Sequence, residues 1–461
     1  MLHSFQVNTT VGRLMKSVLR LAAVVGIVLV ILTIGSPGLL GFSIWQAPSL
    51  LPVGTGLAAK LGCSTRFVSG FSQDRILSDL SSYSPVSKLI DLTFSDSSAT
   101  AELFGQAQTS ATFRPGLGCS LDIGDTTALN DLMVAPVERD AAIEIAIDRP
   151  LQAALDQLLA NDESEQLQTR ALVVLHDGRL VAESYGPGIT VHTPLHGWSM
   201  GKSVTAMLVG RLHTLGRLPA QDGPLFTQWA DDKRANIRLP QLLQMNSGLS
   251  FDETYAPGSD ATRMLFLEHS IVTAPMAGQV TQEPGTHFSY SSGTTNLIMH
   301  HLRQTLGGNQ ALLDFWNDEL RTPLGLADTT LEPDPDGLLV GSSYIYASGR
   351  DWARLGQLML QRGQWKGATL IDADWIEAAT APNKSTNERA YGYQFWLNQG
   401  DDTLRWPGLP SDTYAMQGNR AQVVMVVPSR RTVLVRLGWA ASTYDLNDRF
   451  SNLLNLLPSA G

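Results

Sequence analysis

Apolar residues after Pro150 fall into two distinct rhythms. Leu151, Leu155, Leu158 and Leu159 recur at helical spacing behind Pro150, a residue suited to a first helical turn, and predict a helix. "RALVVLHDGRLVAESYG" (residues 170–186) then carries two apolar runs around Asp177-Gly178, a dipeptide that tolerates the positive φ values of a type I′ turn. A β-hairpin is predicted there, and a second for "QVVMVVPSRRTVLVRLG" (422–438). Strands at both ends, with helices and loops between, imply one sheet assembled from the two ends of a domain spanning 141–461. The preceding stretch, 46–140, is rich in Ser, Thr and Gly. Its short alternating runs, "KLIDLTF" and "TSATFRP", predict brief strands bracketed by loops in a small accessory domain.

The first 45 residues follow neither rhythm. Arg13, Lys16 and Arg20 precede an uncharged apolar run, "LAAVVGIVLVILTIG" (21–35), and the first carboxylate in the chain is Asp74. The run is longer than a signal-peptide core and shorter than a full span of about 20 residues, although Leu39, Leu40, Phe42, Ile44 and Trp45 prolong it. An uncleaved signal anchor over 1–45 is the favoured reading, ahead of a cleaved signal peptide or a buried helix. The positive flank predicts a cytoplasmic N-terminus, with everything after the run exported. Cys63 and Cys119, the two cysteines of the chain, then share an oxidising compartment and read as a disulfide rather than as two buried thiols. Closing that loop would stabilise the fold by roughly 4 kcal/mol on chain-entropy grounds.

Charge narrows the function further. The net charge is −10, 16% of residues are charged, and no Lys/Arg-rich run could follow a phosphate backbone, so nucleic acid is not expected as a partner. The nine histidines form no H-E-x-x-H pattern, His192 and His196 stand four apart only across Pro194, and His300-His301 reads as a helix-face pair, so neither metal nor other cofactor is expected. Asp162, Glu163 and Glu165 read as a solvated loop.

Chemistry concentrates in "HGWSMGKSVT", residues 196–205, where one serine fits three patterns. A phosphate-binding loop needs a glycine where His196 stands, so that successive N–H groups can surround a phosphate. A G-x-S-x-G nucleophile elbow needs a buried strand before Ser199 and a late catalytic histidine. The preceding "TVHTPLHGW" makes a poor strand, and no histidine follows His301. S-x-x-K needs only a serine at a helix N-terminus with a lysine one turn on. Val204, Met207, Leu208, Leu212 and Leu215 supply the helical spacing. From these residues alone, a capping serine with a surface lysine is an equally good reading.

Later segments break the tie. "LPQLLQMNSGLSFDETY" (239–255), "PGTHFSYSSGTTNLI" (284–298), "TPLGLADTTLEPDPDG" (322–337), "YASGRDWARLGQLMLQRGQWKGATLI" (346–371) and "MQGNRAQVVMVVPSRRTVLVRLG" (416–438) follow in order. Together they resemble the serine beta-lactamase and penicillin-binding-protein superfamily, in its class C-related branch of esterases, D-amino-acid peptidases and nylon-oligomer hydrolases, over about residues 141 to 455. The resemblance implies an α/β (α+β) fold: an antiparallel sheet flanked by helices, plus a helical subdomain. It implies that Ser199 is the acylated nucleophile, that Lys202 and Tyr290 of "YSS" move its proton, and that Tyr255 meets the scissile group. Where lactamases carry K-T-G, this chain has Met416-Gln417-Gly418. The cation that helps hold an antibiotic carboxylate is therefore absent from this motif, while Gly418 would let the strand approach substrate. The N–H groups of Ser199 and Asn419 would form the oxyanion hole. Arg420 is a candidate replacement for the lost charge. The implied activity is hydrolysis of a small carboxylic ester or amide by an exported serine hydrolase. The alternatives are a beta-lactamase or D-amino-acid peptidase, or a non-catalytic anchored sensor of penicillin or peptidoglycan.

Overall fold

The computed structural model describes residues 14–26, 33, 46–83, 85–139 and 143–458. Its centre is a six-stranded antiparallel sheet made from β5 (Thr169–His176), β6 (Arg179–Tyr185), β12 (Trp396–Leu397), β13 (Tyr414–Gly418), β14 (Gln422–Val427) and β15 (Thr432–Gly438), in the order β12-β13-β14-β15-β5-β6. Asp177 (φ 51°) and Gly178 (φ 78°) make the left-handed turn of the first predicted hairpin. Arg431 (φ 46°) closes the second. The two hairpins join where β15 pairs with β5, with Val433 opposite Leu175 and Val435 opposite Val173, so the sheet is built from both ends as expected.

Every residue of β5, β14 and β15 is buried, because helices cover both faces. That explains why these strands read as largely continuous apolar runs, such as Ala171–Leu175 and Val423–Val427, rather than as alternating ones. On one face lie α3 (Arg149–Ser164), the helix predicted from the leucine stripe, and α12 (Leu446–Leu456), with Leu151, Leu155, Leu453 and Leu454 packed on Leu172, Val174 and Leu434. Asp162 departs from its reading as a solvated residue. It is buried inside α3, where it accepts from Thr169 Oγ1 (2.5 Å) and Tyr444 OH (2.9 Å) and pairs with Arg449.

The other face carries the helical part of the molecule: α4 (Met200–Thr214), the short α5 (Leu239–Leu243), α6 (Asp260–Phe266) and α7 (Thr273–Ala277), then α8 (Ser292–Leu306), α9 (Asn309–Trp316), α10 (Gly349–Leu360) and α11 (Ala373–Ala379). A three-stranded sheet, with β7 (Leu195–His196) and β8 (Thr329–Leu331) flanking β9 (Ile345–Ala347), and a two-stranded ribbon of β10 (Gln364–Trp365) and β11 (Ala368–Thr369) complete it.

Residues 46–139 hold more helix than their composition suggests. Strands β1 (Asp91–Phe94), β2 (Ser98–Leu103), β3 (Ala107–Arg114) and β4 (Gly118–Leu121) form the expected small sheet, in that order. Before them, however, come α1 (Ala47–Phe67) and α2 (Gln73–Ser81), where strands and loops were expected. Ala58, Ala59, Leu61, Cys63 and Ser64 of α1 are all buried, so the helix lacks the one-sided stripe that announces an amphipathic helix. Its small residues serve close packing: a Cβ on Gly56 would stand 2.3 Å from the Phe266 carbonyl oxygen.

The Cys63–Cys119 disulfide fastens α1 to β4. Beside it, the buried Lys60 ammonium pairs with the buried Glu332 carboxylate, which also accepts the Cys119 N–H (2.7 Å) and the Ser64 hydroxyl (2.9 Å). Asp79 of α2 pairs in the same way with Arg170 of β5, at 2.6 Å.

Residues 14–26 are helical and expose Leu14, Val18, Leu21 and Val25. Among the described residues no helix is long and apolar enough to cross a membrane. Of the apolar run 21–35, on which the anchor reading rests, residues 27–32, 34 and 35 lie outside the described residues.

Candidate active site

Ser199 caps α4 and follows Trp198, whose backbone is left-handed at φ 50°. The strand before it is the two-residue β7, so the segment differs from a strand-borne elbow. One helical turn on, the buried Lys202 donates to Ser199 Oγ (2.9 Å), Ser292 Oγ (2.9 Å) and the Ser342 carbonyl (3.2 Å). Burial pushes its amine down to about 8, against the opposing pull of Glu253. Tyr290 lies with its ring 4.9 Å from Lys202 Nζ, close enough to Ser199 for the serine hydroxyl to favour its phenolate. It stacks on Trp396 at 5.3 Å, and loss of solvation raises its phenol above the ordinary range. The structure thus brings Ser199, Lys202 and Tyr290 together.

The Ser291 hydroxyl accepts the Thr294 N–H (3.0 Å) and starts α8, which sets Ser292 at the helix N-terminus facing Lys202. A carboxylate that sequence reading missed completes the cluster. Glu253 accepts Ser292 Oγ at 2.5 Å and Ser292 N–H at 2.6 Å. Burial raises its carboxyl, while Lys202 and the two Ser292 bonds pull it back down. The available signal was Glu253 two positions before Tyr255 in "DETY", but nothing local ties it to Ser292. Tyr255 itself is 42% exposed, within electrostatic reach of Tyr290, Glu253 and Tyr83.

Strand β13 forms another side of the site. A Cβ on Gly418 would stand 2.1 Å from the Gly197 carbonyl oxygen, so the close approach this glycine permits is to the backbone leading into Ser199. That contact brings the strand end, with Asn419 next in sequence, beside the serine turn. Met416 is fully buried and Gln417 half-buried. Arg420 is held away from the role of a replacement cation. Its guanidinium donates to the Ser82 carbonyl (3.1 Å) and the Ala440 carbonyl (3.4 Å), and lies 4.0 Å from the centre of the Tyr83 ring.

His300 and His301 lie on α8, with His300 Nδ1 2.8 Å from Arg303. Among the described residues no group of three or more His, Cys, Asp or Glu side chains could hold a metal ion.

Residues 151–445 match the Beta-lactamase family, and the chain belongs to it. Over 292 residues it is 23% identical to the 6-aminohexanoate-dimer hydrolase of Paenarthrobacter ureafaciens, a match covering 59% of this chain and 73% of that one. Among solved structures, it is similar to a putative 6-aminohexanoate-dimer hydrolase from Bacillus anthracis, with a TM-score of 0.58, 19% identity, and coverage of 72% of this chain and 94% of the other. It is also similar to a family VIII carboxylesterase, with a TM-score of 0.52, 15% identity, and coverage of 68% and 98%. The fold is beta-lactamase-like, as the resemblance implied.

Proposed function

We propose that this protein is a serine hydrolase that cleaves a small carboxylic ester or amide in two steps through an acyl-enzyme on Ser199. The observation that carries the reading is the shared position of Lys202 Nζ, 2.9 Å from both Ser199 Oγ and Ser292 Oγ, with the Tyr290 ring 4.9 Å from the same nitrogen. A lysine brought to about 8 by burial is neutral in a useful fraction of molecules near physiological pH. In that form it takes the Ser199 proton as Oγ attacks the carbonyl carbon. Tyr290 passes the proton to the leaving oxygen or nitrogen, and the N–H groups of Ser199 and Asn419 stabilise the oxyanion. Water then releases the acid. Tyr255 and Gln417, with Gly418 shaping the strand end, contact the substrate. The disulfide supports export, and the basic N-terminus followed by an apolar run supports membrane anchoring with an extracytoplasmic catalytic part.

An ester or amide is favoured over a beta-lactam because Met416 stands where lactamases carry the lysine of K-T-G. The experiment is labelling with a serine-reactive phosphonate together with turnover of p-nitrophenyl butyrate. Labelling at Ser199, lost in Ser199→Ala along with turnover, is expected. Unlabelled native protein, or an equally active S199A, sinks the acyl-enzyme reading, and nitrocefin turnover rivalling ester turnover reverses the substrate assignment.

A further inference from the structure

The segment before residue 140 touches the residues beside the serine turn through Tyr83. Tyr83, in the loop after α2, has its ring 6.1 Å from that of Trp198 and 5.6 Å from that of Trp439, and the Arg420 guanidinium 4.0 Å from its centre. Trp198 immediately precedes Ser199, and Arg420 immediately follows Asn419. The partners of Tyr83 therefore flank the two residues whose N–H groups form the proposed oxyanion hole.

Both partners have unusual backbones. Trp198 (φ 50°), Arg420 (φ 63°) and Ala421 (φ 61°) are left-handed, a conformation that bulky L-residues adopt only where surroundings over-determine it. For Trp198 those surroundings are the stacked His196 ring at 4.1 Å, Trp439 at 6.2 Å and Tyr83. For the 419–421 turn they are buried side chains on its carbonyls: Gln422 Nε2 on Asn419 O (3.1 Å) and Arg420 O (3.2 Å), and Arg436 Nη1 on Arg420 O (3.0 Å) and Ala421 O (2.9 Å). The Arg420 side chain itself is held by Ser82 O and the Tyr83 ring. The Tyr83 loop is fixed in turn, since Trp439 Nε1 donates to Asp79 O (3.0 Å) and Ser82 Oγ (3.1 Å) while Asp79 pairs with Arg170.

We infer that Tyr83 is a positioning residue, which ties the Trp198 and Arg420 backbones together and so fixes the spacing of the Ser199 and Asn419 N–H groups. The inference rests on the acyl-enzyme reading and gives the N-terminal segment a part in the chemistry. A donor set displaced by even a fraction of an ångström loses strength chiefly in the transition state, where the negative charge develops. Its removal therefore appears in kcat rather than in KM.

The test uses the full chain with the variants Tyr83→Ala, Tyr83→Phe, Arg420→Ala and their combination Y83A/R420A. With an ester substrate, Y83A is expected to lower kcat about 10- to 100-fold with KM changed less than about threefold. Affinity for an arylboronate, whose serine adduct carries the tetrahedral charge, falls with it, whereas binding of a planar, non-hydrolysable ketone-free analogue does not. Y83F keeps the ring and restores most of the rate. R420A lowers kcat in the same manner, and the double variant loses less than the product of the two single losses. The inference is overturned if folded Y83A, with its disulfide intact and an unchanged Tm, keeps wild-type kcat, or if KM alone rises. Should Y83A fail to fold, R420A decides, and an unchanged kcat there overturns it. An active S199A removes the underlying reading, whereas an inactive S199A beside a fully active Y83A removes this inference alone.

Discussion

Replacing Glu253 with glutamine deletes one charge and keeps an acceptor for Ser292. The carboxylate and the Lys202 ammonium are linked through a single hydroxyl by hydrogen bonds of 2.5 and 2.9 Å. Their charged atoms therefore stand no more than about 5 Å apart, and at an effective dielectric constant of about 20 two unit charges at that distance interact by about 3 kcal/mol. That puts the support Glu253 gives the ammonium at roughly two pKa units. With the Lys202 amine at about 8 in the native protein, E253Q is expected to bring it to between about 6 and 7. In the proposed mechanism the neutral amine receives the serine proton, so kcat/KM rises with pH through this value. The assay is a profile of kcat/KM from acid to alkaline pH with a p-nitrophenyl ester, supported by single-turnover acylation. The rising limb reports Lys202 and Tyr290 as a coupled unit. It is expected near 8 in the native protein and one to two units lower in E253Q. A limb that stays in place, or moves to higher pH, in a folded variant refutes the electrostatic argument.

Three further outcomes are expected. The amine of Lys202 titrates at about 8 in the folded chain against 10.5 ordinarily, so the unfolded state binds its proton more tightly and stability rises with pH between those values. Lys202→Met should therefore be inactive yet more stable at pH 7 by up to about 3 kcal/mol, an advantage that vanishes above the ordinary value, as urea denaturation at neutral and strongly alkaline pH will test. Gly418→Ala places a methyl group 2.1 Å from the Gly197 carbonyl oxygen. Its kcat/KM should fall by at least about 100-fold with a lowered Tm, and retention of activity would disprove the close packing. Lys60→Met leaves the Glu332 carboxylate buried without its cation and should cost about 3–5 kcal/mol by urea denaturation, of which K60M/E332Q recovers more than half.

Local chemistry was legible in the sequence, and contacts over long distances were not. The first hairpin was readable because Asp177-Gly178 dictates its own turn, and the pairing of Ser199 with Lys202 because both lie within one helical turn. Helix α1 was not, since small residues packed on several sides leave no stripe and resemble loop composition. Asp162 looked solvated beside Glu163 and Glu165, yet its partners Tyr444 and Arg449 come from the far end of the chain. The same limit hid Glu253, whose bond to Ser292 spans 39 positions. It also hid the direction of Arg420, set by Ser82 and Tyr83 in a segment whose role the motifs left open.

The junction between β5 and β15 bears on how the chain folds. Thr432 pairs with His176, so the central sheet closes only when segments 256 residues apart in sequence meet. Small strands near the N-terminus pair with immediate neighbours and can form early, whereas β5 and β6 must wait for the last hairpin to cover an edge whose every residue ends up buried. During synthesis that edge is an open template for other chains. The slow, vulnerable step of folding is the arrival of residues 422–438, and the same step encloses Ser199 by delivering Gly418 to the Gly197 carbonyl.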